Sequence, residues 1–105
     1  MASHVLMVYT QPHPGRDDDY HRWYDETHLA EVLSVPGFVA ARRFAIDGPE
    51  TGRLCYVAMY SIESDDIDAT MAGFERARPG MSSTPALDPS SVSFRLLRAV
   101  GPTVT

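Results

Sequence analysis

The sequence predicts an α+β domain in which four strands and two helices follow one another in the order βαββαβ. Three observations lead to this prediction. Two apolar runs lie near the ends of the chain, two more flank a Gly/Pro turn in its middle, and helical periodicity follows the first and third runs. With 105 residues of ordinary globular composition, the chain is long enough for one core, so residues 1–105 are interpreted as a single domain.

The first strand is predicted over residues 4–10, an apolar, β-branched run that ends at the prolines of residues 11–15. Helical periodicity begins near Arg16, and the three aspartates that follow complement the positive end of the helix dipole. The helix is expected to reach the early thirties. A bend or restart is expected after His28, because the leucines beyond it lie off the preceding aromatic stripe.

The middle of the chain predicts an antiparallel hairpin. Residues 36–37 are Pro-Gly and stop the first helix, and residues 38–46 then form a strand. A Gly/Pro-rich turn over residues 47–52 leads into a second strand at residues 54–62.

A second helix is predicted to follow, with Ser64 as its N-cap and an end near residues 78–80. Its buried stripe consists of Ile67, Met71 and Phe74. Residues 79–90 are rich in Pro, Ser and Thr and predict a long surface loop. The alternation of residues 92–100 predicts the last strand.

This order is that of the ferredoxin-like fold, a four-stranded antiparallel sheet with two helices on one face. The other face of the predicted sheet also carries apolar side chains, which must be covered. Pairing of two sheets across a two-fold axis would cover them, so a homodimer is expected. A pocket would then lie between sheet and helices or between the two sheets.

Composition excludes several classes of partner and location. A net charge of −5 argues against nucleic acid, because phosphate binding needs a basic surface. Cys55 is the only cysteine, so no intrachain disulfide is possible, and a buried thiol in a reducing cytoplasm is expected. The first ten residues lack a basic leader and a long apolar stretch, so neither a signal peptide nor a membrane span is predicted.

The first helix carries polar and aromatic residues at a density that indicates a small-molecule pocket. At about 100° per residue, five of them share one side: Tyr20, Trp23, Tyr24, Thr27 and His28. A purely structural helix would bury aliphatic residues there instead. We therefore expect this helix to enclose a ligand site.

The chain resembles the dimeric α+β barrel superfamily and, within it, the EthD-like group. The resemblance rests on Trp-Tyr-Asp-Glu-Thr-His-Leu at residues 23–29, Val-Pro-Gly-Phe at 35–38, Arg-Arg-Phe at 42–44 and Tyr-Val-Ala-Met-Tyr at 56–60. It implies a homodimer with an apolar cavity in each subunit. Members include cofactor-free monooxygenases, polyketide cyclases, muconolactone isomerases and haem-degrading enzymes, so the resemblance does not select one reaction.

The predicted catalytic residues are His28, Tyr24 and Tyr60. His28 shares a helix face with Tyr24, and its imidazole can exchange a proton near neutral pH. The resemblance also places a histidine at this point of the helix. Tyr60 lies on the same side of its strand as Tyr56, where a phenol can donate to a substrate carbonyl if that side faces the cavity. The alternative roles are a histidine bonded to backbone and tyrosines that pack in the core.

Six further residues are predicted to contact the ligand: His4, Tyr20, Trp23, Arg43, Phe44 and Tyr56. Aromatic rings can stack on a flat substrate, although a stripe at helical spacing is more often core. The neighbouring Arg42 and Arg43 point to opposite faces of their strand, so at most one can bind a carboxylate or enolate in the pocket. His4 is either a second acid/base group or a frayed terminal histidine.

No metal site and no cofactor are predicted. His21, Asp25 and His28 share one side of the helix, but the two histidines are about 10 Å apart along its axis, too far for one ion. Cys55 has no adjacent histidine in sequence, and the chain lacks a glycine-rich phosphate loop.

These observations favour a cofactor-independent enzyme that acts by proton transfer on a hydrophobic, aromatic or polyketide-like molecule, as a cyclase, isomerase or lyase. Two alternatives use the same scaffold: a cofactor-free monooxygenase and a dimeric carrier that binds its ligand unchanged. Haem binding through a histidine is a third.

Overall fold

The computed structural model of the protein describes residues 2–46 and 55–105. The elements are β1 Ala2–Thr10, α1 Asp17–Trp23, a π-helical turn Tyr24–His28, α2 Leu29–Leu33, β2 Phe38–Ile46, β3 Cys55–Ser64, α3 Ile67–Ala77 and β4 Ser93–Arg98, with 3-10 turns at Arg78–Gly80 and Pro89–Ser91. The predicted order βαββαβ is confirmed. The predicted turn 47–52, Leu54 and the burial of the Cys55 thiol lie outside the described residues.

The four strands form one antiparallel sheet in the order β2-β3-β1-β4. The two central strands, β1 and β3, pair with each other in a register that places Leu6 opposite Tyr60 and Val8 opposite Ala58. These four side chains share one face of the sheet and are buried. The sheet is that of the predicted ferredoxin-like fold.

Both helical segments pack on this face and form a single core with it. From the helices come Tyr20, Tyr24, Val32 and Phe74, and from the sheet come Leu6, Val8, Tyr56, Ala58, Tyr60 and Ile62. Burial of each large apolar side chain contributes about 1.5–3 kcal/mol. The packing of both helices on one face is confirmed.

The first helix is interrupted by the π-helical turn Tyr24–His28, and α-helical geometry resumes at Leu29. This position is where the sequence predicts a bend or restart. Residues five apart on a regular α-helix differ by about 140° around its axis. The wider π turn aligns them instead, and the rings of Trp23 and His28 stack with centroids 4.3 Å apart and planes inclined by 15°.

The predicted N-cap of the second helix is wrong. The cap of α3 is Asp66, whose carboxylate accepts from the Ala69 backbone N–H at 3.1 Å. Ser64 is instead the last residue of β3, and its hydroxyl accepts from the Asp66 N–H and bonds to Thr70. The strand continues two residues past its predicted end, because Ile62 to Ser64 stay paired with β1.

Residues 78–92 include the predicted surface loop 79–90. They form no helix or strand beyond two 3-10 turns and are largely exposed, but they are anchored to the rest of the fold. Ala86 is fully buried, its carbonyl accepts from the His13 N–H at 2.7 Å, and the Asp88 N–H donates to the Gln11 carbonyl at 2.9 Å. An isolated bridge also pairs Pro12 with Leu87. This segment, called the 78–92 segment below, is therefore tied to the loop that follows β1 and closes one side of the core.

The second face of the sheet carries no helix in the described part of the chain and is apolar. Its side chains include Val5, Met7, Phe44, Met59 and Leu97, which alternate along their strands with the helix-facing residues. Phe44 and Leu97 are 40% and 45% exposed. The predicted open apolar face is present.

None of the helices in residues 2–46 and 55–105 is long and apolar enough to cross a membrane.

Gly37, between α2 and β2, has the positive φ of +95° that favours glycine. A Cβ added there would lie 2.9 Å from Cγ2 of Thr70 on α3. We expect Gly37→Ala to lower the free energy of unfolding by about 1–3 kcal/mol in urea denaturation. Gly73→Ala is the matched control: it lies within α3 and is expected to stabilise by up to about 1 kcal/mol. Equal stability of the Gly37 variant and wild type would contradict this assignment.

Candidate functional site

A cavity of about 190 Å³ lies between the helices and the β1–β4 side of the sheet. Strand β1 contributes to its floor, the first helix forms one wall, and α3 with the 78–92 segment forms the other. Its lining residues are mostly apolar or aromatic: Val8, Thr10, Trp23, Tyr24, His28, Val32, Tyr60, Phe74, Arg78, Met81, Ser82, Leu87, Val92 and Phe94. A concave apolar site with few polar groups is the usual form of a small-molecule pocket.

His28 lies in the wall of this cavity with its side chain 18% exposed. Its ring stacks on Trp23 and meets the Tyr24 ring edge to face at 5.3 Å. Burial lowers the pKa of His28 below its usual 6.5, and the hydrogen bond and charge of Glu31 offset only part of this shift. His28 is therefore neutral at pH 7 and available as a base.

Glu31 lies one turn beyond His28, and its Oε1 is 3.3 Å from Nδ1 of His28. The backbone N–H and the hydroxyl of Ser82 donate to the same carboxylate at 2.7 and 2.8 Å. Partial desolvation acts to raise the pKa of Glu31, but these hydrogen bonds outweigh it and lower the pKa. An ionised carboxylate only accepts hydrogen bonds, so Nδ1 of His28 carries the proton and Nε2 is the basic nitrogen.

Ser82 joins two walls of the cavity through this network. Its hydroxyl donates to Glu31 and accepts from the indole Nε1 of Trp23 at 3.0 Å. Trp23, Ser82, Glu31 and His28 thus form one chain of hydrogen bonds between the first helix and the 78–92 segment. Glu31 and Ser82 are not among the residues predicted from the sequence. The i, i+3 spacing of His28 and Glu31 was an available signal for the first, whereas Ser82 lies 51 residues away.

Tyr24 and Tyr60, the other two predicted catalytic residues, also line the cavity. The hydroxyl of Tyr24 bonds to Oγ1 of Thr10 at 3.3 Å. Burial raises the pKa of both phenols above the usual 10, strongly for Tyr60. Both hydroxyls therefore stay protonated at pH 7 and can donate to a ligand oxygen.

The buried Tyr20 and Tyr56 and the half-buried Arg43 form a group behind Tyr24 and are not among the residues that line the cavity. The Arg43 guanidinium carbon lies 4.5 Å from the Tyr24 ring centroid, 5.3 Å from that of Tyr20 and 5.9 Å from that of Tyr56. Burial raises the pKa of Tyr20 to about 12.

The Arg43 guanidinium also reaches the outer side of the first helix. It donates to Asp25 at 3.0 Å, and its Nη2 is 2.9 Å from Nδ1 of His21. Arg43 and Tyr56 lie on β2 and β3, whereas the cavity lies toward β4. Strand order thus places them beside the site, where Arg43 packs against the ring of Tyr24.

The two remaining predicted ligand contacts lie elsewhere. His4 is buried near the start of β1 and lines a separate small recess with Leu97 and Arg98. Phe44 lies opposite Val57 on the open face. Arg42 and Arg43 point to opposite faces as predicted, with Arg42 opposite Met59 and Arg43 opposite Ala58. The structure thus brings together His28, Tyr24, Tyr60 and Trp23 at the cavity.

Within residues 2–46 and 55–105, no group of three or more His, Cys, Asp or Glu side chains is arranged to hold a metal ion.

Comparison with known proteins identifies the fold. No protein family profile matches the sequence, and no curated protein matches it. Among solved structures, it is similar to a candidate antibiotic biosynthesis monooxygenase from Bacillus cereus, at 10% identity over 100% of both chains with a TM-score of 0.66.

Two further structures share this likeness. The haem-degrader MhuD from Mycobacterium tuberculosis, with two haems bound in its active site, is 19% identical over 96% of this chain and 99% of its own, with a TM-score of 0.61. An EthD family protein from Bacillus halodurans is 15% identical over 99% of this chain and 100% of its own, with a TM-score of 0.50. The chain therefore shares its fold with these proteins, one of which is an EthD family protein, as the resemblance noted in the sequence implies.

Proposed function

We propose that the protein is a cofactor-independent enzyme that removes a proton from a small, ring-containing hydrophobic substrate, with His28 as the general base. The observation that supports this most directly is the state of His28. It is neutral at pH 7, lines an apolar cavity and is oriented through Nδ1 by an ionised carboxylate. The Glu31 carboxylate would stabilise the imidazolium that forms when Nε2 accepts the substrate proton.

The tyrosine hydroxyls would stabilise the negative charge that develops on the substrate. Removal of a C–H or O–H proton next to a carbonyl or ring leaves the electron pair on an enolate or phenolate oxygen. A hydrogen bond from Tyr60 or Tyr24 to this oxygen favours that state in a site of low polarity. Return of the proton from Nε2 to a different atom completes an isomerisation. In a cyclisation the carbanion attacks a second carbonyl of the substrate, and the alkoxide that forms takes the proton back from Nε2.

Cavity size favours a substrate with one ring. An apolar cavity of about 150 Å³ holds benzene, and this cavity measures about 190 Å³. A substituted monocyclic phenol or enol therefore fits the protomer better than a polycyclic polyketide does.

A cofactor-free monooxygenase is the second candidate, favoured by the candidate monooxygenase from Bacillus cereus that shares the fold. In this reaction the same base would deprotonate a phenol, and a ring carbon would bond to molecular oxygen to give a peroxide. Loss of water from the peroxide would leave a quinone, so that one oxygen atom enters the product, the other leaves as water and the substrate itself supplies the electrons.

The cavity volume favours a monocyclic ligand over haem. A porphyrin contains four pyrrole rings, whereas the cavity of about 190 Å³ is close to the size that holds one benzene ring. We expect the purified protein to bind no haem and to show no Soret band after haem is added.

We also propose that two protomers pair through the open face of the sheet. This face presents Val5, Met7, Phe44, Met59 and Leu97 without cover from a helix. A second copy would bury the same surface on both subunits.

Deuterium exchange tests the proposed reaction without knowledge of the final product. Monocyclic phenols, enols and β-keto acids are incubated with the protein in deuterated buffer, and loss of each carbon-bound proton is followed by NMR. We expect at least one compound to exchange its proton faster with the protein than in buffer alone. Oxygen uptake, measured with an oxygen electrode, distinguishes a monooxygenase from an enzyme that only transfers protons. A carrier would bind such compounds without exchange or oxygen uptake, and that result would contradict the enzymatic proposal.

A further inference from the structure

Arg78 places a positive charge in the wall of the cavity. Among the described residues that line the cavity, it is the only one with a permanent charge. The other polar lining groups are hydroxyls, the indole N–H of Trp23 and the neutral imidazole of His28, and the Glu31 carboxylate lies behind His28 and Ser82. A cation in this wall is notable because the whole chain has a net charge of −5.

The Arg78 side chain is held at the cavity by two aromatic rings. Its guanidinium carbon lies 5.3 Å from the ring centroid of Phe94 on β4 and 5.9 Å from that of Phe74 on α3. Both rings also line the cavity. Cation–π attraction of this kind fixes a guanidinium in place while its N–H groups remain able to donate.

The bonds of Arg78 to protein leave it available to a ligand. It pairs with Glu75, one turn earlier in α3, at 3.1 and 3.2 Å, and both bonds come from Nη1. The two side chains are 44% and 59% exposed. Ion pairs at such exposure contribute about 0–1 kcal/mol, so a ligand anion can compete for the guanidinium.

We propose that the ligand of this cavity carries a carboxylate that binds Arg78, so that the substrate is a small ring-containing acid. This inference rests on the proposed function and specifies its substrate class. A carboxylate matches the planar fork of a guanidinium and can accept two N–H bonds from it. Anchored at Arg78, the ring would lie among Phe74, Phe94 and Trp23, in the cavity that His28 also lines.

Binding of benzoate and benzamide tests the inference, because the two molecules share size and shape and differ in charge. We expect wild type to bind benzoate about tenfold more tightly than benzamide in isothermal titration calorimetry at low salt, a difference of about 1.4 kcal/mol. Arg78→Gln should abolish this preference with little effect on benzamide. Arg76→Gln, which removes the same charge from an exposed position of α3 outside the cavity lining, should retain it.

Glu75→Gln provides a test that does not depend on the folding of the Arg78 variant. It releases Arg78 from its ion pair and removes a nearby negative charge, so benzoate should bind more tightly and benzamide should be unaffected. Equal binding of benzoate and benzamide to wild type would overturn the carboxylate inference and leave the cavity as a ligand site. Equal losses of the preference for benzoate in Arg78→Gln and Arg76→Gln would also overturn it. Failure of both molecules to bind would contradict the proposed function as well.

Discussion

His28→Gln is expected to lower kcat/KM by about 10²-fold or more on any substrate that the wild-type protein turns over. Glutamine keeps a polar side chain of similar reach but cannot accept and hold a proton near neutral pH. His28 is partly exposed and makes one side-chain hydrogen bond, so the free energy of unfolding should fall by only about 1 kcal/mol. Deuterium exchange and urea denaturation measure the two quantities.

Glu31→Gln tests the role of the residue that orients the base separately from the role of the base itself. This variant keeps His28 but replaces the charged acceptor of its Nδ1 proton with a neutral amide, so a smaller loss of kcat/KM is expected than in His28→Gln. The pKa of the base should fall further, because a carboxylate that favours the imidazolium is removed. In wild type, kcat/KM should decrease as pH falls through the His28 pKa, which lies below 6.5. A large loss of stability with unchanged kcat/KM in either His28→Gln or Glu31→Gln would show that these two residues have a structural role instead of a catalytic one.

Val5→Glu is expected to convert a dimer into a monomer. Val5 lies on the central strand β1, opposite Ser61 and Leu97, on the open face. Pairing of two sheets would bury the new carboxylate twice, once from each subunit, without a cationic partner opposite it in the sheet. A cost of about 3–5 kcal/mol raises the dimer Kd by about 10²–10⁴-fold. Sedimentation velocity over a range of protein concentrations measures this change.

Ala72→Glu is the matched control for added charge. It lies on the exposed side of α3, away from the open face, and should leave the dimer intact. A wild-type protein that sediments as a monomer at high concentration would contradict the proposed pairing. Equal dissociation of the Val5→Glu and Ala72→Glu dimers would contradict it as well.

Local sequence patterns predicted most of the fold because each pattern has a direct structural cause. Alternation located the strands, and Pro-Gly at residues 36–37 marked the end of the first helix. Leucines off the aromatic stripe predicted the irregularity at His28, where the π turn ends. The cap of α3 was misplaced because Ser64 and Asp66 are both good capping residues, and pairing with β1 extends the strand through Ser64.

The site was predicted only in part because it depends on strand order. Helical spacing identified Trp23, Tyr24 and His28 as one surface. Strand alternation placed Tyr56 and Tyr60 on one face but could not show that the cavity lies toward β4, which excludes Tyr56. The 78–92 segment lacks periodicity, so its contribution through Ser82 became visible only when long-range contacts were known.

A crystal structure of the protein with the most rapidly exchanging compound would test the central claim most directly. We predict that the compound occupies the cavity between the helices and the β1–β4 side of the sheet, with its exchanging proton within hydrogen-bond reach of Nε2 of His28, about 2.6–3.2 Å between heavy atoms. Binding of the compound at another surface, or an Nε2 atom of His28 bonded to protein backbone in the complex, would contradict the assignment of His28 as the base.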